Sequence, residues 1–245
     1  MKKRCCLGLW ALVLMLLWLP EGERAIPTDG HAMLPSETKY VALTFDDGPH
    51  AENTKRLLDG LLERGTSATF FLVGEQIAGN EELVLRMKQE GHQIGNHTWS
   101  HKSLQGINEE AFQAEIGQVE DALEAIVGKG QYWLRPPYGQ IQAAQMARLE
   151  VPLAKWSVDP RDWESRDTEK VVQAVLETVT PGSVILLHDI HGSSVEAALQ
   201  LVDRLGEQGY VFVTVEELFA LYGIQPRPGV MYRAAEGQII SEGTA

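Results

Sequence analysis

Two pairs of residues in this chain have the spacing of a reaction centre. Asp46 and Asp47 are adjacent carboxylates in Thr44-Phe45-Asp46-Asp47-Gly48-Pro49, and His97 and His101 lie four residues apart in His97-Thr98-Trp99-Ser100-His101. If the second segment is helical, both imidazoles share one face and can chelate one ion. A carboxylate added to them makes a three-ligand site with an open position. The spacing alone reads equally as one histidine that caps and one that packs. The aspartate pair is likewise open to two readings. It can be an Asx turn ahead of Gly-Pro, or a metal ligand beside a base. Neighbouring side chains of an extended segment point in opposite directions, so Asp47 could hold a metal while Asp46 reaches an attacking water.

Three further residues complete the chemistry. Arg135 sits in a rigid Arg135-Pro136-Pro137-Tyr138-Gly139 context, and a guanidinium near Asp46 would hold and orient that base. His188 ends the apolar run Ser183–His188; a core histidine is the plain alternative. Asp159 shifts the weighting, because a carboxylate at a neighbouring strand end would raise the pKa of His188 and make it an acid. Trp163 either walls a pocket or packs in the core.

The elements that must carry these residues follow from apolar periodicity. Strands are expected at Tyr40–Phe45, Ala68–Val73, Gln93–Gly95, Tyr132–Leu134, Leu153–Val158, Ser183–His188 and Tyr210–Val213. Helical patterns intervene at Asn53–Arg64, Glu81–Glu90, Asn108–Val127, Ile141–Leu149, Thr168–Thr178 and Val195–Glu207, and Thr214 with Glu217 forms a capping box for a last helix. Strands that are apolar throughout are covered on both faces, as in a parallel sheet. Asp46/Asp47, His97/His101, Arg135/Tyr138, Asp159/Asp162 and His188/Asp189 each follow a strand, and in an α/β barrel such ends converge on one mouth. A doubly wound open sheet is the rival. It calls for a glycine-rich turn after the first strand, where this chain has Asp46-Asp47-Gly48-Pro49.

Composition bounds the partners. The 245 residues carry 21 Lys+Arg against 34 Asp+Glu, a net charge of -13, which argues against holding nucleic acid by bulk charge. Lys2, Lys3 and Arg4 precede an uncharged run from Cys5 to Leu19. As a helix that run reaches about 22 Å, short of a ~30 Å hydrocarbon core, so residues 1–25 read as a secretory signal or, uncleaved, a membrane anchor. Without the leader's four basic and two acidic residues, 17 basic face 32 acidic, a charge of -15. Both cysteines also leave with it, so any metal must be held by His, Asp or Glu. Residues 26–39 and 223–245 lack periodicity and read as an arm and a tail.

The five ordered segments, Thr44–Pro49, His97–His101, Arg135–Gly139, Asp159-Pro160-Arg161-Asp162-Trp163 and Leu186-Leu187-His188, resemble the five motifs of the polysaccharide deacetylase family (carbohydrate esterase family 4, the nodulation-protein-B-like homology domain). The resemblance runs from about Tyr40 to Tyr222, so residues 40–222 are expected to form the catalytic domain. It implies an α/β fold, a distorted (β/α) barrel of about seven parallel strands with its site at their C-terminal ends. It further implies that Asp47, His97 and His101 bind a divalent metal, usually zinc, with cobalt, nickel or manganese also used in the family. Asp46 would be the base and His188 the acid, tuned by Arg135 and Asp159 respectively. The Tyr138 N–H would help hold the oxyanion, and Trp163 and Leu186 would line the acetyl pocket. The implied reaction removes N-acetyl groups from N-acetylglucosamine units of a cell-surface polysaccharide, most like peptidoglycan. Chitooligosaccharide deacetylation, acetylxylan esterase activity and a non-catalytic sugar-binding module are the alternatives. An exported, wall-associated monomer is expected, touching membrane only through an uncleaved leader.

Overall fold

The computed structural model of the chain describes residues 38–235 and 238–242. The leader and nearly all of the arm lie outside them. Eight strands are present: β1 (Lys39–Asp46), β2 (Thr69–Leu72), β3 (Gln93–Asn96), β4 (Leu153–Ala154), β5 (Val184–His188), β6 (Tyr210–Val213), β7 (Val230–Ala234) and β8 (Gln238–Glu242). Nine α-helices alternate with them: α1 (Asn53–Glu63), α2 (Gly74–Ile77), α3 (Glu81–Gln89), α4 (Glu109–Val127), α5 (Ala143–Met146), α6 (Asp162–Ser165), α7 (Thr168–Thr178), α8 (Gly192–Glu207) and α9 (Val215–Leu221).

Capping explains where several helices begin. The Asn108 side chain accepts from Ala111 N at the start of α4, and Asp167 accepts from Lys170 N at the start of α7. The Thr214–Glu217 capping box opens α9 as its sequence requires. Among the described residues no helix is long and apolar enough to cross a membrane.

β1 is the hub. Its last residues pair in parallel with β2 and with β5, and Lys39–Ala42 pair with β6. Ala42 has both Val184 and Val213 as partners, so β6 and β2 must share the edge opposite β5. Alternation then separates two environments. Val41, Leu43 and Phe45 join a core with Leu57, Leu58 and Leu61 of α1 and Val195 and Ala198 of α8. Ala42, on the other face, packs with Phe71, Trp133, Phe219 and Tyr232. Each wholly buried Leu or Phe in these clusters contributes roughly 1.5–3 kcal/mol by leaving water.

The α/β fold with a mostly parallel sheet is as expected, but among the described residues the ladders do not close fully. A five-stranded and a three-stranded sheet are linked by single bridges, Asn96 to Leu134, Leu134 to Leu153, Val158 to Ile185 and Ser183 to Ala234. The expected strand Tyr132–Leu134 is reduced to such a bridge, and the expected Leu153–Val158 to a two-residue strand with a bridge at Val158. Residues 223–245 are not a bare tail, since they contain β7, parallel to β4, and β8, antiparallel to β7. Lys155 N donates to Tyr232 O at 2.7 Å, so β7 braces the backbone beyond β4.

Candidate active site

The polar residues at the strand ends meet because the parallel register brings them level. Asp46 stands opposite His188 on β5, and Thr44 opposite Leu186. With a two-residue period, Thr44 and Asp46 face the same way, and so do Leu186 and His188 beside them. Arg135 bridges the first two: its Nη1 donates to Thr44 Oγ1 and to Asp46 Oδ1, both at 2.7 Å. Its Nη2 donates to Lys155 O at 3.1 Å, and its guanidinium lies 4.0 Å from the Phe71 ring centroid. Arg135 is wholly buried and Asp46 nearly so. An ion pair in such a place is strongly coupled, because neither partner can turn to water.

The next residue is turned elsewhere. Asp47 has φ 72°, which swings its carboxylate away from Asp46 toward the loop after β3. That loop is not helical, contrary to the helical reading of the His-x-x-x-His spacing; Thr98 (φ 68°) and His101 (φ 55°) fold it back on itself. The imidazoles still come together, with ring centroids 4.9 Å apart. His101 Nε2 lies 3.2 Å and His97 Nε2 3.5 Å from Asp47 Oδ1. His97 Nδ1 is 2.6 Å from Arg135 O, an acceptor only, so Nδ1 carries the proton and Nε2 keeps its lone pair.

This trio fits a divalent cation. Asp47 Oδ1 is buried without a hydrogen-bond partner, and it faces two ring nitrogens at separations that suit ligands of one ion. A carboxylate oxygen sequestered without a donor and facing two ring nitrogens is a site for positive charge.

On the opposite side stands His188. Its backbone N–H donates to Asp162 Oδ2 at 2.8 Å, and its Nδ1 is 2.8 Å from Asp162 Oδ1. Burial works against the charged ring, yet the Asp162 carboxylate prevails and raises its pKa to about 9. This corrects the expectation for Asp159. The Asp159 side chain is exposed and accepts from Arg161 N at 2.9 Å, closing a local turn. Arg161, in the left-handed region at φ 54°, then directs Asp162 inward at the start of α6.

The remaining expected residues flank this centre. Tyr138 takes φ 60° in a short 3-10 turn, is 60% exposed, and meets the His101 ring edge-on at 5.1 Å. Trp163 is 45% exposed beside the Arg161 guanidinium, and Leu186 is buried. Asp189, buried behind His188, was noted from sequence only as a strand-end acid.

Similarity to known proteins places the chain in a family. Residues 34–150 match the family model described as polysaccharide deacetylase. The chain is 38% identical over 180 residues to the peptidoglycan-N-acetylmuramic acid deacetylase PdaC of Bacillus subtilis, covering 74% of this chain and 38% of PdaC. It is also 38% identical over 192 residues to a peptidoglycan-N-acetylglucosamine deacetylase of Bacillus cereus, covering 76% of this chain and 70% of that relative. The chain belongs to the polysaccharide deacetylase family.

Solved structures of this family share its fold. A structure of T48 deacetylase with substrate superposes with TM-score 0.77 at 45% identity, over 80% of this chain and 98% of that one. A family 4 acetyl xylan esterase from Clostridium thermocellum, in complex with a cobalt ion, gives TM-score 0.77 at 31% identity over 81% and 100% of the two chains. A divalent metal belongs to the chemistry of these deacetylases, and Asp47, His97 and His101 are where this member can hold one.

Proposed function

We propose that this polysaccharide deacetylase hydrolyses the N-acetyl groups of N-acetylglucosamine units in peptidoglycan, as an exported, monomeric, zinc-dependent enzyme. The observation that carries the reading is the register of Asp46 opposite His188, with the Asp47–His97–His101 donor set at the edge of the pair. It supports a reading in which a base, an acid and a cation site surround one point. Chitooligosaccharides and acetylated xylan are the substrates next in line.

The residues divide the reaction as follows. Asp47, His97 and His101 would hold a divalent ion, which when bound would supply Lewis acidity toward water and the acetyl carbonyl. Asp46 Oδ2 takes the proton of the attacking water, while Arg135 fixes the carboxylate through Oδ1. The Tyr138 N–H donates to the oxyanion where its charge develops. His188 gives the proton of its Nε2 to the departing amine, Asp162 holding the ring by Nδ1. An amide needs that proton, because the amine leaves poorly as an anion. Leu186 and Trp163 bound the space for the acetyl methyl.

A second reading has its own support. PdaC, as similar to this chain as the glucosaminyl enzyme, is named for N-acetylmuramic acid. One experiment tests both. The full chain, loaded with zinc, is incubated with peptidoglycan, chitooligosaccharides and acetylated xylan, and the products are read by mass spectrometry and acetate release. Acetyl loss from glucosamine units of peptidoglycan is expected. Loss confined to muramic acid would move the assignment to that sugar, and no loss from any substrate would end the catalytic reading.

A further inference from the structure

One buried acid near the site has no part in the reaction just described. Asp189 is wholly buried, in the turn one residue beyond His188, and its carboxyl faces Thr54 of α1. Its Oδ2 accepts from Thr54 Oγ1 in the first turn of α1, and its Oδ1 has no partner. Thr54 Oγ1 in turn accepts from His50 N at 2.8 Å. The carboxyl group also presses on the loop after β1: a Cβ added at Gly48 would lie 2.4 Å from Asp189 Oδ1. Only glycine lets the chain pass there.

The loop so enclosed is the one that carries Asp47. At φ 72° a non-glycine residue holds a strained conformation, and it persists only where its surroundings fix it. Bonds from several sides hold this loop. Val73 N donates to Gly48 O at 3.0 Å, and His50 N to Thr54 Oγ1. Asn53 Nδ2 donates to Ile190 O at 2.9 Å and Arg56 Nη2 to Gly192 O at 2.6 Å, both stitching α1 to the segment after His188. Asp189 stands where the two loops meet.

We propose that Asp189 is a positioning residue: through Thr54 and the close approach of Gly48 it locks the loop of Asp47 against the strand end of His188, setting the metal ligand and the acid in one frame. The inference rests on the assignment of Asp47 as a ligand. It concerns this chain's binding of zinc alone, so it can be read without substrate.

The test measures zinc affinity of the full chain by competition with a chromophoric chelator, for the wild type and for Asp189→Ala, Asp189→Asn and Thr54→Val. Asp189→Ala and Thr54→Val are expected to weaken zinc binding about tenfold or more, the range typical of residues that orient ligands. Asp189→Asn keeps an acceptor for Thr54 and is expected to restore most of the affinity. A double Thr54→Val, Asp189→Ala variant is expected to lose no more than the worse single one. Should Asp189→Ala fail to fold, Thr54→Val, which conserves shape, decides alone. Wild-type affinity in Thr54→Val or in a folded Asp189→Ala would overturn the proposal. A wild type that does not bind zinc would instead remove the assignment of Asp47, and the proposal with it.

Discussion

Asp46 and Asp47 are neighbours in the chain and opposites in their surroundings. Asp46 is held at 2.7 Å by an arginine that also contacts Thr44, Lys155 and the Phe71 ring. Asp47 Oδ1, equally sequestered, has no donor at all and looks toward two imidazoles. A satisfied carboxylate has a fixed geometry that the fold itself supplies. An unsatisfied one is completed from outside the chain. In the proposed mechanism the contrast separates a half that would move protons from a half that would recruit a cation, and each half should then fail in its own way.

The largest difference is expected at Asp47. Asp47→Ala should abolish detectable deacetylation and zinc binding while leaving the melting temperature of the zinc-free protein unchanged or raised, since it removes a buried, unpartnered charge. Activity, zinc binding and thermal unfolding measure this together. Arg135→Met should do the reverse to stability. It leaves Asp46 buried without a partner and should cost about 3–5 kcal/mol, a fall in melting temperature on the order of 10 °C.

Asp162→Asn is expected to act more mildly and to show in the pH profile. His188 is raised above its usual value of 6.5 to about 9, so its acid form persists through neutral pH and is lost as pH rises through about 9. Without the Asp162 charge the alkaline limb of kcat/KM should move to lower pH, with a loss of about 10²-fold at its former plateau. An unmoved limb would separate His188 from the acid role. Smallest of all, Asp159→Asn should change kcat less than twofold, because that carboxylate only closes an exposed turn.

That last pair shows how far the sequence could be read. Asp159 and Asp162 are both acids three residues apart after a strand, and no periodicity distinguishes them. The choice is made by a left-handed Arg161, a backbone state that an arginine side chain does not advertise. Thr98 and His101 hid the loop of the two histidines in the same way. Elements with local causes were plain: α7 has the bounds its apolar spacing requires, and the Thr214–Glu217 box opens α9. β7 was not, because a five-residue strand after Pro226-Arg227-Pro228-Gly229 owes its burial to β4, far away in the chain. The motif residues were legible since their types are costly to place at buried strand ends without a use.

The hydrogen bond from Lys155 N to Tyr232 O has a consequence for how the molecule comes into being. Lys155 offers its carbonyl to Arg135 and takes its own place from β7, so the arginine that steadies Asp46 is braced by nearly the last described strand. A nascent chain can form α1, the β1–β2–β3 ladder and the paired histidines well before that strand exists. The proton-handling half is finished only once Tyr232 has docked. Such long-range closure is expected to be a late and slow event in folding, so the bracing of Arg135 should be among the last parts of the site to form.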